Sequence, residues 1–275
     1  MFIVRLNGGL GNQLFQYAFA RSNSIDTGIE YSLDLSYLKK SSPARNYELD
    51  FFNMHSVNVK SKFYYCKKRI LSRESIITEK VHSHQSSLMN IRPCQYITGY
   101  FQSEKYFQHN RSALLIDLQF DLSRISTDTH SLSLKIKKNI AVSIHVRRGD
   151  YATNEDTLKF HGLCPMDYYY SAQKIMRQKY VSPVFYIFSD DPEWCKQQFI
   201  SSVDTHIISN KSRILHEEFY LMTQCTHHII ANSTFSWWAA WLNQNESKTV
   251  IAPKNWFHNT EISSIDIIPE KWMSI

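Results

Sequence analysis

Two adjacent arginines stand in IHVRRGDY, residues 144–151, with His145 just ahead of them and Asp150 just behind. A planar guanidinium grips a phosphate through two parallel N–H donors, so the cluster suits a phosphorylated ligand. Where such a run leaves a strand, side chains alternate: His145 and Arg147 share one face and Arg148 points to the other. One arginine would then aim into a cleft, while the second pairs with a carboxylate, Asp150 being a candidate, and holds the turn. A surface ion-pair network is the plainer alternative. The descent from an apolar strand straight into a glycine turn counts against it.

Three further clusters have the same character. NGGLGNQ, residues 7–13, holds three of the chain's seven glycines. A glycine turn between strand and helix admits positive φ and lets a ligand approach the backbone, and the helix start behind it offers unpaired N–H groups to an anion. A dinucleotide fingerprint would need another glycine where Leu14 stands. FSDDP, residues 188–192, sets Asp190 and Asp191 ahead of Pro192. One of them suffices as a helix N-cap; a carboxylate here could equally accept from the N–H edge of a guanine. NSTFSWWAAWL, residues 232–242, places Ser233, Thr234 and Ser236 at a helix start, where hydroxyls and backbone N–H groups suit a diphosphate. Ordinary capping needs only one of the three. Trp237, Trp238 and Trp241 recur at helical spacing and read as core.

Other chemistries lack their residues. The five cysteines form no CxxC pair and point to free thiols in a reducing compartment. His82-x-His84 has no carboxylate at ligand spacing, and in His216-Glu217-Glu218 a tyrosine, Tyr220, stands where a zinc protease motif needs its second histidine. Of His227 and His228, one is expected to be buried and hydrogen-bonded. There is no GxSxG elbow, no Walker loop and no Asp-x-Asp. With 31 basic against 25 acidic residues the formal charge is +6, compatible with an anionic small substrate and far from a histone-like excess. Two other classes compete: an NAD(P)-dependent oxidoreductase, suggested by the glycine turn and by Asp34 at a second strand end, and a basic nonenzymatic nucleic-acid-binding protein.

These clusters need a scaffold that brings strand ends together. Strands are expected at 2–6, 96–100, 140–146, 184–189, 205–209, 227–231 and 249–253. Helices are expected after the NGGLGNQ turn, at 166–180, from Pro192, at 214–225 and at 235–245, with a loop from 147 to about 165. Strands alternating with helices imply parallel β-α-β units, and in an open parallel sheet ligands bind beyond the carboxyl ends of the strands. Each polar cluster falls at such an end. Length suits two domains, and the boundary is placed near 136–139, giving 1–137 and 138–275. No run of 18 or more apolar residues occurs and the N-terminal apolar run is too short for a signal peptide, so a cytoplasmic protein is expected. The basic-aromatic stretch KSKFYYCKKR, residues 60–69, could rest on anionic lipid at the inner membrane surface, although a solvated helix face is the plainer reading.

The segments NGGLGNQLFQYAFA, HVRRGDY, FSDDPEWC and NSTFSWWAAWL, in this order, resemble the α-1,2-fucosyltransferases, glycosyltransferase family 11. The resemblance spans nearly the whole chain. It implies an α/β, GT-B-like architecture of two Rossmann-type domains facing across a cleft, with an N-terminal acceptor-side domain and a C-terminal domain for the GDP-sugar. The implied reaction is inverting transfer of L-fucose from GDP-β-L-fucose to the 2-hydroxyl of a galactoside. The implied acceptor is a galactose-terminated, lipid-linked or free glycan of bacterial O-antigen type. No metal, cofactor or nucleic acid is implied. By the same resemblance Arg147 contacts the β-phosphate, His145 and Arg148 support it, and Asp190 reads the guanine. Ser233, Thr234 and Ser236 hold the diphosphate, and Gly9, Gly11 and Asn12 line the cleft. Arg147 would neutralise the charge that develops on the leaving GDP. Asp150 is the candidate general base, with Glu155 and Asp156 as rivals.

Overall fold

A computed structural model describes residues 1–40, 44–54, 58–60, 76–81, 83–199, 203–210, 213–258 and 264–275, without the side chains of 58–60 and Asp150. His82 and most of the basic-aromatic stretch, 61–69, lie outside the described residues. The chain packs as two units, Met1–Asp121 with Ile262–Pro269, and Leu122–Glu261 with Glu270–Ile275. The division falls ahead of the expected boundary near 137 because helix Thr127–Lys137 packs on a helix of the second unit, Leu215–Gln224.

Unit 1 is a parallel sheet of β1 (Phe2–Arg5), β2 (Tyr31–Asp34), β3 (Asn58–Lys60), β4 (Ile76–Thr78) and β5 (Tyr96–Thr98), in the order β3-β2-β1-β5-β4. Helix α1 (Leu10–Thr27) follows β1, and α2 (Arg111–Asp117) closes the unit. Leu14, Phe15, Ala18 and Phe19 of α1 are fully buried, the helical spacing of the sequence turned inward. Two glutamines on the same helix are equally buried. Gln13 donates to the carbonyls of Gly8 (2.9 Å) and Asn46 (2.8 Å) and accepts from the Glu48 N–H. Gln16 accepts from the Asn7 N–H at 2.9 Å and donates to the Gly99 carbonyl at 3.0 Å. A buried amide satisfied on both sides is worth keeping, because either partner left alone would bear its full desolvation cost. The two side chains thereby tie the loops after β1 and β5 to one helix.

Unit 2 contains α3 (Thr127–Lys137), β6 (Ala141–Val146), α4 (Gly149–Thr153), α5 (Glu155–His161), α6 (Met166–Lys179), β7 (Val184–Ser189), α7 (Pro192–Gln198), β8 (Thr205–Ile207), α8 (Leu215–Gln224), β9 (His227–Ile229), α9 (Thr234–Leu242), β10 (Val250–Ala252) and β11 (Met273–Ser274). All pairings are parallel and the order is β11-β10-β9-β6-β7-β8. All six residues of β6 are buried, the mark of a strand covered on both faces. Val142, Ile144, Phe185, Ile187 and Ile229 meet Tyr169, Ala172 and Met176 of α6 in one core. Trp237 and Trp238 are fully buried and Trp241 nearly so, as core. The segment expected as a loop to residue 165 instead holds α4 and α5. Asn154 caps α5 by accepting from the Thr157 N–H at 2.9 Å. No helix among the described residues is long and apolar enough to cross a membrane.

His227 and His228 are both buried, where one was expected. His228 lies between Ser143 Oγ and the Asn243 amide, each 2.8 Å away. Because Asn243 Nδ2 donates to Nε2, the ring is neutral and gives its Nδ1–H to Ser143. Burial, reinforced by Lys248 and His227, holds its pKa well below the ordinary value, and burial with the nearby Arg147 charge lowers that of His145 to about 3. Both rings are therefore neutral in the folded chain and return to about 6.5 on unfolding. Their contribution is complete above that value and is lost as pH falls, at about 1.4 kcal/mol per pH unit for each ring. Urea unfolding at pH 7 and at pH 5 should show this acid loss, with protons taken up on unfolding; equal stability at the two values would contradict it.

Candidate active site

Strand order in unit 2 reverses at β6. From there β7 and β8 run to one side, and β9, β10 and β11 to the other. Such a switch point opens a crevice past the carboxyl ends of the two strands that flank it, here β6 and β9. HVRRGDY leaves β6 at that place, and NSTFS leaves β9.

The register of β6 on β7 sets the first set of contacts. Val146 lies opposite Ser189, so the next residues out are Arg147 and Arg148 on one side, Asp190 and Asp191 on the other. Arg147 Nη1 is 2.7 Å from Asp190 Oδ2. The other oxygen of Asp190 accepts from the Arg148 backbone N–H at 2.8 Å. Arg148 Nε reaches Asp191 Oδ2 at 3.2 Å, and its guanidinium lies 3.9 Å from the Trp194 ring centre. Asp191 also caps α7 by accepting from the Trp194 N–H. The cap is thus Asp191, and Asp190 is the carboxylate that holds both arginines. Arg148 pairs with Asp191; the side chain of Asp150, the partner expected from the sequence, lies outside the described residues. A Cβ on Gly149 would come within 2.5 Å of Asp190 Oδ2, so a side chain there would displace the carboxylate from its arginine partners.

Aromatic rings stand beside the cluster. Arg147 lies 5.3 Å from the centre of the Tyr151 ring, whose other neighbour is His161, stacked at 4.5 Å and 10°. His145 is 5% exposed and lies 5.5 Å from Phe235. Among the described residues its Nδ1 has no hydrogen-bond partner, so a neutral ring presents an unsatisfied nitrogen beside Arg147.

The segment after β9 divides. Ser233 is the N-cap residue of α9, and its side chain makes no capping bond. Thr234 follows as the first helical residue. Ser236 is fully buried and gives its hydroxyl to the Ser233 carbonyl, so it serves the helix and not the crevice. Asn232 is a clamp: its amide reaches the carbonyls of His161 and Trp256, and its oxygen accepts from Cys164. Glu155 and Asp156 are exposed in the first turn of α5, and Glu155 pairs with Lys159. Their charges suit the helix dipole.

Gly9, Gly11 and Asn12 belong to unit 1. Gly9 is the N-cap of α1, with open space where a Cβ would stand; Gly11 is buried within the helix; Asn12 accepts from the Gln102 amide at 3.0 Å. The glycine that the turn demands is Gly8, at φ +80 with Asn12 Nδ2 only 2.4 Å from a built Cβ.

One candidate group escapes a reading of motifs. Glu218 stands in the first turn of α8, and its pKa is raised to about 7, first by burial and then by the charge of Asp190, against Ser209 and Arg213. Ser209 Oγ in turn accepts from the Ser189 N–H at the end of β7. Measuring His216-Glu217-Glu218 against a zinc pattern hid it. The usable signal was a glutamate opening a helix just after a parallel strand.

The arrangement sets two guanidiniums, each held by an aspartate, beside a neutral imidazole, a carboxyl of raised pKa and the start of a helix, groups suited to a nucleotide diphosphate. The family model of glycosyl transferase family 11 matches residues 1–275. An α-1,2-colitosyltransferase of Escherichia coli is 34% identical over 99% of this chain and 98% of its own length. The O-antigen biosynthesis glycosyltransferase WbnK of Escherichia coli is 29% identical over 98% and 99%. A mutant of Arabidopsis thaliana FUT1, solved in complex with GDP, superposes with a TM-score of 0.52 at 13% identity, covering 93% of this chain and 71% of that one. That likeness is one of fold, two α/β units on parallel sheets in the GT-B-like manner. A match spanning every residue, with relatives themselves covered almost end to end, makes this chain a sugar-transferring enzyme that belongs to glycosyl transferase family 11.

Proposed function

We propose that the enzyme moves L-fucose from GDP-β-L-fucose to the 2-hydroxyl of a galactoside with inversion and without a metal ion, in the assembly of a bacterial surface glycan. The observation that carries this reading is the pair of guanidiniums held by Asp190 and Asp191 at the β6/β9 switch point. As GDP departs, negative charge grows on the β-phosphate. Arg147, already aimed and half-buried, neutralises it without solvent reorganisation, and Ser233 and Thr234 at the start of α9 take up the remaining diphosphate oxygens. His145 and Arg148 support the same pocket. Asp150 is the proposed base for the attacking hydroxyl. The galactoside acceptor and the surface-glycan setting follow from the sequence resemblance and from the name of WbnK.

The oxidoreductase reading loses its acidic residue. Asp34, where a nicotinamide dinucleotide would place its ribose, instead accepts from the Tyr96 hydroxyl at 2.7 Å and from the Ser36 N–H. A second donor does have support, since a relative is named for colitose, which is L-fucose without its 3-hydroxyl.

With both oxygens of Asp190 committed to the arginines, Glu218 is the better reader of the guanine N–H edge. That role needs the carboxylate, so GDP affinity should weaken as pH falls through about 7. Calorimetric titration between pH 8 and 6 should show the loss in wild type. Glu218→Gln should bind weakly with a flatter pH profile, and a variant as tight as wild type would remove Glu218 from the base pocket.

Turnover of GDP-fucose and GDP-colitose on a panel of β-galactosides in excess EDTA tests the whole reading. Transfer at an undiminished rate is expected, and abolition by the chelator would refute a metal-free mechanism. In that assay Arg147→Ala should fall by about 10²–10³ in rate while keeping its melting temperature, and Arg147→Lys should also be poor because an ammonium lacks the planar fork. Near-normal turnover of either would sink the assignment. At saturating donor, where the Glu218 effect on binding drops out, Asp150→Asn should lose the acidic limb of the kcat profile; retention of that limb would exclude Asp150 as base.

A further inference from the structure

Unit 1 has a strand-order reversal of its own. From β1 the chain moves outward through β2 and β3, while β5 and β4 fill the other side. A second crevice therefore opens past the carboxyl ends of β1 and β5. Asn7 stands after β1, Tyr100 after β5 and Tyr37 after β2. Asn7 Nδ2 donates to the Tyr100 hydroxyl at 3.0 Å, bridging the two strand ends. Arg5, the last residue of β1, lays its guanidinium 4.4 Å from the centre of the Tyr37 ring. Arg5 and Asn7 leave β1 two residues apart, and Glu79 Oε2 bonds the Tyr100 backbone, so the Arg5–Tyr37 contact and the Asn7–Tyr100 bridge stand at the same sheet edge. Tyr37 is 37% exposed.

We propose that this cluster is a subsite for a neutral hexopyranose ring of the acceptor glycan, with Tyr37 as its stacking face and Asn7 and Tyr100 as the pair that reads its hydroxyls. The inference rests on the glycan-transfer reading above and adds the place and chemistry of acceptor binding. A pyranose offers one C–H face and a rim of hydroxyls, which a tyrosine ring beside an amide and a phenol can match. An anionic ligand fits poorly. The Arg5 guanidinium is laid on a ring, and the Glu79 carboxyl stands beside Tyr100.

The hydroxyl-reading pair is also held in place before any ligand arrives. Gln16 accepts from the Asn7 N–H and donates to the Gly99 carbonyl, so one buried amide fixes both strand ends. Glu79 Oε2 accepts from the backbone N–H groups of Tyr100 (2.7 Å) and Phe101 (3.0 Å). It thereby holds a turn in which Phe101 takes φ +53, a conformation rare for a side-chain-bearing residue. A strained turn kept by a buried carboxylate is a feature that functional sites accumulate, and fixed groups lose little entropy when a sugar binds.

The test uses the galactoside that wild type turns over fastest in the panel. Tyr37→Leu should raise the acceptor KM by about tenfold with the donor KM unchanged, the signature of lost binding at a stacking face. Tyr37→Phe should stay within about twofold of wild type, because the ring remains. Asn7→Ala should raise the acceptor KM in the same selective way. Tyr37→Leu and Asn7→Ala that both keep the wild-type acceptor KM would overturn the subsite, as would a rise confined to the donor KM. Failure of the underlying reading looks different: wild type would neither be stabilised by GDP nor turn over a GDP-sugar. A wild type that binds GDP and hydrolyses the donor yet transfers to no galactoside overturns the galactoside acceptor of the underlying reading, and the subsite with it. Normal transfer with unchanged acceptor KM in the variants overturns the subsite alone.

Discussion

A cationic side chain kept half out of water at a sheet edge has to be neutralised by something fixed, or it swings away. Here the fixed partner is Asp190, and what fixes it is backbone pairing rather than side-chain packing. The register that sets Val146 against Ser189 brings the next two residues of each strand face to face. Each guanidinium then meets its own carboxylate. An exposed ion pair contributes little to stability, and these four groups are only partly covered, so the pairs are better understood as aiming devices. The Asp190 carboxylate spends one oxygen on the Arg147 head and the other on the Arg148 backbone, which fixes where the head points. An incoming phosphate would compete with that carboxylate for a cation already oriented.

The same economy appears in unit 1 with neutral groups. Gln13 and Gln16 are placed one helical turn apart on α1, and their amides meet loop backbone that would otherwise be buried without partners. Loops usually move because their hydrogen bonds face water. These loops are instead bonded to the interior of a helix, and this ties the ends of β1 and β5 into a rigid frame.

Legibility in the sequence followed the density of apolar residues. Strand 184–189 was readable residue for residue, and helix 166–180 to within its last residue, because long apolar patterns leave few alternatives. Between 35 and 135 the strands among the described residues are three residues long, too short for a period to show. Helices α4 and α5 hid for the opposite reason: α5 is largely exposed and carries its signal in Asn154 and the acidic first turn, not in an apolar face. The four candidate clusters were legible because strand ends are where polar residues collect after apolar runs. Which arginine meets which aspartate was not, since that depends on the register of two strands distant in sequence. Ser236 misled because a hydroxyl within a first helical turn can turn back to the carbonyl three residues before it.

The last stretch of the chain is shared between the two halves. Asp266, within Ile262–Pro269, accepts from the Lys105 ammonium at 2.5 Å and from the His84 N–H at 2.9 Å, both in unit 1. A few residues later Met273–Ser274 add the edge strand beside β10. A gene fragment ending at Asp121 would therefore encode a half-molecule stripped of a carboxylate it uses, and one starting at Leu122 would carry a tail that belongs elsewhere. Dissecting this enzyme into separately expressed halves would need a rejoined or circularly permuted chain rather than a single cut.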